Sequence, residues 1–360
     1  MRIERVAVAA YRIPTDGHES DGTYAWDATT LVVARIAGGG HEGLGYTYAD
    51  GATARLIADV LAPELQGADP LAINARWIAL TAAVRNLGRP GIASMAISAV
   101  DVALWDLKAK LLGVSLAALL GPAREAVPVY GSGGFTSYTV KRLQEQLSGW
   151  AASGIMRVKM KVGRAPEQDI DRVRAARRAI GDRVELFVDA NGAYAAKQAL
   201  AFAHAFAASA VTWFEEPVSS DDLPGLRMLR DRGPAGMSIS AGEYGYDLPY
   251  FRRMLDAQAV DVLQADATRC GGVTGFLDVA AVCDAYGVPL SSHCAPSLHA
   301  PLCCAARRAV HLEYFHDHVR IEQRYFDGAA VASDGVIRCD ASRPGLGLEF
   351  KEQDASCYSL

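Results

Sequence analysis

The sequence predicts an α/β fold: a closed barrel of eight parallel strands with intervening helices, preceded by a small α+β domain. Eight short runs rich in β-branched and aromatic residues alternate with segments of helical periodicity, and eight parallel strands close such a barrel. Polar residues follow these runs at steps of 20 to 28 residues, the length of one strand and one helix. They are Lys161, Asp189, Glu215, Glu243, Asp266, His293 and Glu313.

The first 121 residues are predicted to form the small α+β domain. Residues 1 to about 50 alternate apolar and polar side chains, and the turn-prone Gly38–Gly40 separates two such runs, which is typical of antiparallel strands. From about residue 52 the period becomes helical. Apolar residues then recur at steps of three and four: Ile97, Val100, Leu104, Leu107 and Leu111.

The barrel is assigned to residues 122–325, and residues 326–360 are predicted to pack back on the first domain. The predicted strands are 127–130, 158–162, 185–189, 212–215, 238–241, 261–264, 288–291 and 310–313. A doubly wound sheet would share this alternation of strands and helices. Such a sheet requires a Gly-rich phosphate turn, and no GxGxxG follows an early strand.

Composition limits the possible partners. With 51% hydrophobic and 21% charged residues, the chain can bury the core of a soluble globular enzyme. Its formal net charge of −5 includes no Lys/Arg-rich tract, so we expect a small-molecule partner and neither nucleic acid nor a membrane. No apolar stretch approaches the roughly 20 residues that span a bilayer, and no signal-peptide pattern is visible, which predicts a cytoplasmic protein. The seven cysteines form no CxxC pair and are expected to be reduced.

Two lysines stand two residues apart in the second predicted barrel strand. Side chains at this spacing point the same way, so Lys159 and Lys161 would both face the barrel interior. Like-charge repulsion and desolvation are expected to lower the pKa of one lysine toward neutrality, where it can act as a base on a carbon acid. A solvated pair on an edge strand would show the same pattern.

Carboxylates follow the next three strands. Asp189, Glu215 and Glu243 offer hard oxygen ligands without a neighbouring histidine or thiolate, which indicates Mg²⁺, with Mn²⁺ as a possible substitute. Strand parity places Trp213 and Glu215 on one face. Glu215 is therefore favoured as the ligand over Glu216.

The last strands end in a possible acid/base pair. Asp266 and His293 follow neighbouring strands, so the aspartate can fix the imidazole tautomer while the other ring nitrogen exchanges protons. Glu313, after the eighth strand, is predicted to be protonated by carboxylate crowding and to donate a hydrogen bond to the substrate.

As a set, these motifs resemble the enolase superfamily, and most closely its mandelate racemase group. The motifs are KxK at 159–161, DANG at 189–192, EEP at 215–217, AGE at 241–243, Asp266 and SSH at 291–293. The run at 99–107 resembles the helix that joins that family's capping domain to its barrel. The muconate-lactonising branch would carry a lysine where this chain has Asp266, which disfavours that branch.

The resemblance implies a modified TIM barrel of (β/α)7β type, with an N-terminal α+β capping domain of roughly residues 1–121 that the C-terminal tail completes.

It also implies a role for each site residue. Mg²⁺ would be bound by Asp189, Glu215 and Glu243. Lys161 would be the base on one face of the substrate, with Lys159 as its pKa partner and carboxylate contact, and His293 with Asp266 would act on the other face. The family also implies a homo-oligomer, either a dimer or an octamer.

The implied reaction is Mg²⁺-dependent abstraction of the proton α to a carboxylate, which gives a metal-stabilised enediolate. Elimination of water from an acid sugar, an aldonate or aldarate, is the leading hypothesis; a racemase or epimerase of a 2-hydroxy acid or sugar acid is the alternative. A catalytically silent metal-binding barrel is a third. His18, Tyr46, Tyr48 and Asn191 are predicted to bind the substrate, because polar and aromatic side chains suit a hydroxyl-rich ligand.

Overall fold

The computed structural model describes all 360 residues, and its first part is an antiparallel sheet with helices. Strands β1 (Ile3–Ser20), β2 (Ala25–Gly38) and β3 (His41–Tyr48) pair in that order. The helices that follow are α1 (Ala52–Leu56), a π-helical turn (Ile57–Leu61), α2 (Ala62–Leu65), α3 (Ile73–Ala83), α4 (Ile92–Leu111) and α5 (Leu116–Leu120). A Cβ at Gly45 of β3 would overlap the carbonyl oxygen of Ala99 in α4. The predicted α+β cap is confirmed, and its sheet packs closely on α4.

Eight parallel strands then close a barrel. They are β4 (Ala126–Gly133), β5 (Arg157–Lys161), β6 (Glu185–Asp189), β7 (Val211–Glu215), β8 (Ser238–Ala241), β9 (Val262–Ala265), β10 (Leu290–Ser292) and β11 (Ala309–Phe315). The helices between them are α6 (Val140–Ala152), α7 (Pro166–Ile180), α8 (Ala196–Ala207), α9 (Leu223–Arg232), α10 (Leu248–Asp256), α11 (Gly272–Tyr286) and α12 (Pro296–Ala305). Strand β11 pairs with β4, which places Glu313 beside Tyr130 and closes the ring. The predicted (β/α)7β barrel is confirmed.

Alternate residues of the strands fill the barrel interior. Phe187 stacks on Trp213 with ring centroids 5.2 Å apart, and Tyr130 completes this apolar layer. Because side chains two residues apart in a strand point the same way, Asp189 and Glu215 form the next layer toward the carboxyl ends. The barrel mouth therefore receives the polar residues, while aromatic rings seal the floor beneath them.

The remaining residues return to the cap. They form α13 (His316–Tyr325), β12 (Phe326–Asp327), β13 (Val336–Arg338), β14 (Glu349–Phe350), α14 (Glu352–Ala355) and a 3-10 turn (Ser356–Tyr358). Strand β13 pairs with β4, whereas the backbone N–H of Leu360 donates to Ala10 in β1 at 2.9 Å. Arg35 and Glu352 form an ion pair of 2.8 Å across the same contact. The domain boundaries at residues 121 and 325 stay a prediction.

Two expectations from composition have outcomes in the structure. Cys304 of α12 and Cys339, which follows β13, form a disulfide, so the prediction that all seven cysteines are reduced is wrong for this pair. The two cysteines are 35 residues apart, and only the packing of the tail brings them together. None of the helices is both long enough and apolar enough to cross a lipid bilayer.

Glu19, near the end of β1, provides a test of stability against pH. Burial, with the charges of Asp317 and Asp16, raises the pKa of this carboxyl to about 9. The folded protein thus keeps a proton that the unfolded chain loses near pH 4.5, so Glu19 reduces stability as the pH rises from 4.5 toward 9. We expect Glu19→Gln to leave Tm unchanged near pH 5 and to raise it by about 3 °C or more at pH 8.5.

Differential scanning fluorimetry of both proteins across this pH range measures the effect. Glu145→Gln on α6 is the matched control, because Glu145 is exposed and its replacement should change Tm little at either pH. The same Tm shift at pH 5 and pH 8.5 in Glu19→Gln would contradict the assigned titration.

Candidate active site

A cavity of about 440 Å³ lies between the cap and the carboxyl ends of the barrel strands. The predicted site residues that line it are Lys161, Asn191, Glu243, Asp266, His293, Glu313 and Tyr48. The closing of the barrel brings these residues together, because each barrel residue among them lies at or just beyond the carboxyl end of its strand. Asp189, Glu215 and Lys159 lie beneath the cavity and do not line it.

Three carboxylates converge beside the cavity. One oxygen from each of Asp189, Glu215 and Glu243 lies within 4.8 Å of the other two. The backbone N–H of Asn191 donates to Asp189 Oδ1 at 2.9 Å, and the indole N–H of Trp213 donates to Glu215 Oε2 at 2.9 Å. These bonds fix the orientation of two of the three carboxylates.

The donor set of this triad fits an Mg²⁺ ion. Glu243 Oε2 is buried and has no hydrogen-bond partner. Burial and neighbouring carboxylate charges raise the pKa of Glu215 and of the adjacent Glu216 well above the usual range. The carboxylates of the site thus carry more negative charge than the positively charged side chains around them neutralise. The possible ligands are all hard oxygens, which Mg²⁺ prefers.

The two lysines balance part of this negative charge. Lys159 is fully buried and bonds to Glu215 and, at 2.8 Å, to Glu313. Lys161 Nζ lies 2.5 Å from Asp189 Oδ2. Burial alone would lower the pKa of each lysine, but the surrounding carboxylates raise both above the usual value. While only protein groups surround the two lysines, the predicted lowering of a lysine pKa is therefore wrong, because the nearby carboxylates outnumber the lysines.

Asp266 and His293 form the expected pair. His293 Nδ1 donates to Asp266 Oδ2 at 2.8 Å, and the backbone N–H of Thr268 donates to Asp266 Oδ1 at 2.7 Å. Burial would raise the pKa of Asp266, but the bond to His293 and its charge lower it below the usual range. The other imidazole nitrogen, Nε2, lies 3.3 Å from the Cys294 sulfur and 3.5 Å from Glu243. It is the ring nitrogen that does not bond to Asp266, and so the one that can exchange protons with a ligand in the cavity that His293 lines.

Glu313 differs from its prediction. Its Oε2 accepts the backbone N–H of Cys294 at 2.9 Å, and its Oε1 pairs with Lys159. Burial would raise the pKa of Glu313, but the charges of Lys159 and His293 hold it well below the usual range. Glu313 is therefore an ionised acceptor, and the expectation of a protonated donor is wrong.

The four predicted substrate-binding residues separate into two groups. Asn191 and Tyr48 line the cavity, and the side-chain oxygen of Asn191 is buried without a partner. Tyr46 points to the same side of β3 as Tyr48 but lies deeper, where its hydroxyl donates to Glu322 at 2.7 Å. His18 is exposed outside the cavity. The structure does not bring Tyr46 and His18 to the site.

Arg269 and His318 are among the lining residues that lacked a clear signal in the sequence. Arg269 lies 3.7 Å from Asp266 and 3.6 Å from Glu243; its position three residues after Asp266 was the available hint. His318 stacks on Tyr48 with ring centroids 3.5 Å apart, and its Nδ1 accepts the backbone N–H of Ala295. Because His318 belongs to α13, no strand-end pattern could have indicated it.

The loop between β1 and β2 seats the cap on the barrel mouth. A Cβ at Gly22 would overlap the carbonyl oxygen of Ala190, so only glycine permits this approach. Positive φ angles occur just beyond three of the barrel strands, for example at Asn191 (45°), Glu216 (37°) and Cys294 (53°). Such strained conformations concentrate at functional sites, where surrounding structure holds them.

Comparison with known proteins places this geometry in a family. The model of the mandelate racemase/muconate lactonizing enzyme N-terminal domain matches residues 18–121, and the enolase C-terminal domain-like model matches residues 142–355. The 3,6-anhydro-α-L-galactonate cycloisomerase of Streptomyces coelicolor is 35% identical and is matched over 96% of each chain.

Two solved structures are also similar. A mandelate racemase/muconate lactonizing enzyme-like protein from Rubrobacter xylanophilus is 56% identical, with a TM-score of 0.98 over 100% of each chain. L-talarate dehydratase from Polaromonas, complexed with Mg and L-glucarate, is 33% identical, with a TM-score of 0.91 over 100% of this chain and 97% of its own. The protein thus belongs to the mandelate racemase/muconate lactonizing enzyme family of the enolase superfamily.

Proposed function

We propose that the protein removes the proton α to the carboxylate of an acid sugar and expels the β-oxygen, typically as water, to give a 2-keto-3-deoxy acid. One observation carries the proposal: Lys161 on β5 and His293 after β10 reach a single cavity from separate sides of the barrel, next to the triad. Two proton-transfer groups around one substrate are what such an elimination requires.

The triad and the lysines set up the first proton transfer. Asp189, Glu215 and Glu243 would hold Mg²⁺, which when bound supplies a Lewis acid for the negative charge that develops on the substrate carboxylate. Neutralisation of these three carboxylates removes the charges that keep Lys161 protonated. Lys159 then lowers the pKa of Lys161 by like-charge repulsion, so Lys161 can accept the α-proton.

His293 completes the elimination. The electron pair of the broken α C–H bond forms the new double bond as the β C–O bond breaks, and the oxygen leaves with a proton from His293 Nε2. Asp266 holds the opposite Nδ1–H at 2.8 Å and stabilises the imidazolium that donates this proton. The resulting enol converts to the 2-keto acid.

The names of the relatives support this shared step. The Polaromonas protein is a dehydratase, and the Streptomyces relative is a cycloisomerase of a 3,6-anhydro acid. In a 3,6-anhydro acid the β-oxygen is part of a ring ether, so the same C–O cleavage opens the ring without loss of water. β-Elimination therefore accounts for both activities.

Purified protein with Mg²⁺ should be screened against aldonic, aldaric and anhydro-aldonic acids. Semicarbazide detects the 2-keto acid, product mass distinguishes loss of water from isomerisation, and proton NMR in D₂O reports α-exchange. A keto acid from at least one acid sugar is the expected result. Neither keto acid nor α-deuterium exchange with any acid would overturn the proposal.

Epimerisation at the α-carbon is a second candidate, favoured by the same placement of Lys161 and His293. In that case one group removes the proton and the other returns a proton to the opposite face. Deuterium incorporation and inversion without keto acid would assign this function instead.

Removal of the cation is expected to abolish activity. Dialysis against EDTA should leave no measurable turnover, Mg²⁺ should restore it, and Mn²⁺ should substitute.

Asp189→Asn is expected to weaken Mg²⁺ binding by about 100-fold or more, measured by calorimetry and by the Mg²⁺-dependent rise in Tm. Glu185→Gln at the start of β6 is the matched control; full activity after EDTA treatment would contradict the metal assignment.

We also propose a homo-oligomer, a dimer or an octamer, on the basis of the family. Sedimentation velocity at micromolar concentration tests this state. A single monomeric species would contradict it.

A further inference from the structure

The capping side of the cavity carries no positive charge. Nine residues between positions 21 and 50 line the cavity, and we call them the cap wall. None of them is Lys, Arg or His, and the only charged side chains are Asp21 and Asp50. An anionic group at the end of the substrate remote from the α-carbon would find no partner on this wall.

The basic side chains elsewhere around the cavity are already engaged, and His293 among them bonds to Asp266 at 2.8 Å. Arg269 lies within 4 Å of both Asp266 and Glu243 and donates to the backbone oxygen of Glu243 at 3.0 Å. Lys161 lies against the triad, at the end of the cavity that receives the α-carboxylate. His318 uses Nδ1 as an acceptor, and burial lowers its pKa to about 3, so it is a neutral donor through Nε2.

We propose, on the basis of the function proposed above, that the substrate has a single carboxylate and is an aldonate or an anhydro-aldonate, not an aldarate. A second carboxylate at the far end would lose hydration beside Asp21 and Asp50 without gaining a cation. The negative charge of that carboxylate and those of the two aspartates repel each other, whereas a terminal hydroxyl can donate a hydrogen bond to either aspartate.

The cap wall suits such a neutral, hydroxyl-rich end. Asp21 accepts the backbone N–H groups of residues 23 and 24 with Oδ1, and Asp50 accepts that of residue 52 with Oδ1, which leaves Oδ2 of each for a sugar hydroxyl. Thr30 adds a hydroxyl to the wall. Tyr24 stacks on Trp26 at 6.2 Å and 12°, and aromatic faces of this kind pack against the C–H groups of a sugar.

Matched pairs of five- and six-carbon acids that differ only at the terminal carbon test the proposal, for example D-gluconate and D-glucarate. The Mg²⁺-loaded full-length protein is used, and the readouts are kcat/KM, α-deuterium exchange and the rise in Tm on binding. We expect kcat/KM for the aldonate to exceed that for its aldarate by about 100-fold or more, and only the aldonate to raise Tm.

A charge reversal tests whether the negative charge of the cap wall causes the selectivity for aldonates. Asp50→Arg is expected to narrow the aldonate-to-aldarate ratio by about 10-fold or more through a lower KM for the aldarate. Asp27→Arg is the matched control: Asp27 lies on β2 with its side chain 77% exposed, pairs with Arg12 outside the cavity, and its replacement should leave the ratio unchanged.

The outcomes separate the two proposals. Turnover of any aldarate equal to or better than that of its matched aldonate would overturn the single-carboxylate inference and leave the proposed function standing. Turnover and exchange with neither class would overturn the proposed function, and this inference with it. A ratio that Asp27→Arg changes as much as Asp50→Arg would overturn the role of the cap wall.

Discussion

Replacement of Lys161 by methionine is expected to lower kcat by about 10³- to 10⁴-fold, because the side chain keeps its length but cannot accept the α-proton. Mg²⁺ binding should be retained or become tighter. In the structure the Lys161 ammonium pairs with Asp189 Oδ2 at 2.5 Å, and Lys159 lies 3.4 Å from the same oxygen. Removal of Lys161 therefore leaves that carboxylate with one competing cation where it had two. Initial rates of keto-acid formation and calorimetric Mg²⁺ titration provide the two measurements.

A lysine on the protein surface serves as the control. Lys197→Met on α8 removes the same charge from an exposed position and should leave both readouts unchanged. A kcat for Lys161→Met within tenfold of the wild-type value, with Mg²⁺ bound, would contradict the assignment of Lys161 as the base.

Substitution of His293 by asparagine is expected to reduce elimination by about 10²- to 10⁴-fold while α-proton exchange continues. The asparagine amide can still donate to Asp266, so the local hydrogen bond is preserved, but no group remains at Nε2 to protonate the departing oxygen. Lys161 still removes and returns the α-proton. Deuterium exchange in D₂O and keto-acid formation, measured on the same samples, separate the two steps.

The comparison requires a second histidine variant. His204→Asn on α8 is exposed and should behave as the wild type. Loss of α-exchange together with elimination in His293→Asn, with fold and Mg²⁺ binding intact, would show that His293 is the base and would reverse the roles proposed for the two groups.

The strand residues of the site could be predicted from the sequence because the direction of a side chain in a strand depends only on its position along that strand. A period of two along a strand determines which side chains face inward, and a closed barrel brings all strand ends to one mouth, so Asp189, Glu215 and His293 were placed without tertiary information. The eight-stranded barrel followed from the alternation of strands and helices, and the resemblance to the family added its (β/α)7β form. These features depend only on strand parity and on the length of one repeat.

The depth of a side chain in the cavity and the balance of charges around it could not be predicted from strand parity. Tyr46 and Tyr48 share a face of β3, and only the height at which the cap sits decides that Tyr48 reaches the cavity while Tyr46 bonds to Glu322. The pKa of Lys161 and of Glu313 depends on distances among groups from different strands. The interpretation of Lys161 weighed desolvation and the like charge of Lys159, and that of Glu313 weighed crowding by carboxylates. Both left out the opposite charges that decide the direction of these pKa shifts.

The separation of the cavity into a cap wall and a barrel mouth has an evolutionary consequence. Residues that would select the far end of the substrate lie between positions 21 and 50, whereas the proton-transfer groups lie between positions 161 and 313. Mutations confined to this one short segment can therefore change which acid is accepted without disturbing the catalytic groups. Duplicated copies of such a gene can evolve activity toward other acids by mutation of that one segment. Libraries for directed evolution can be confined to the same segment.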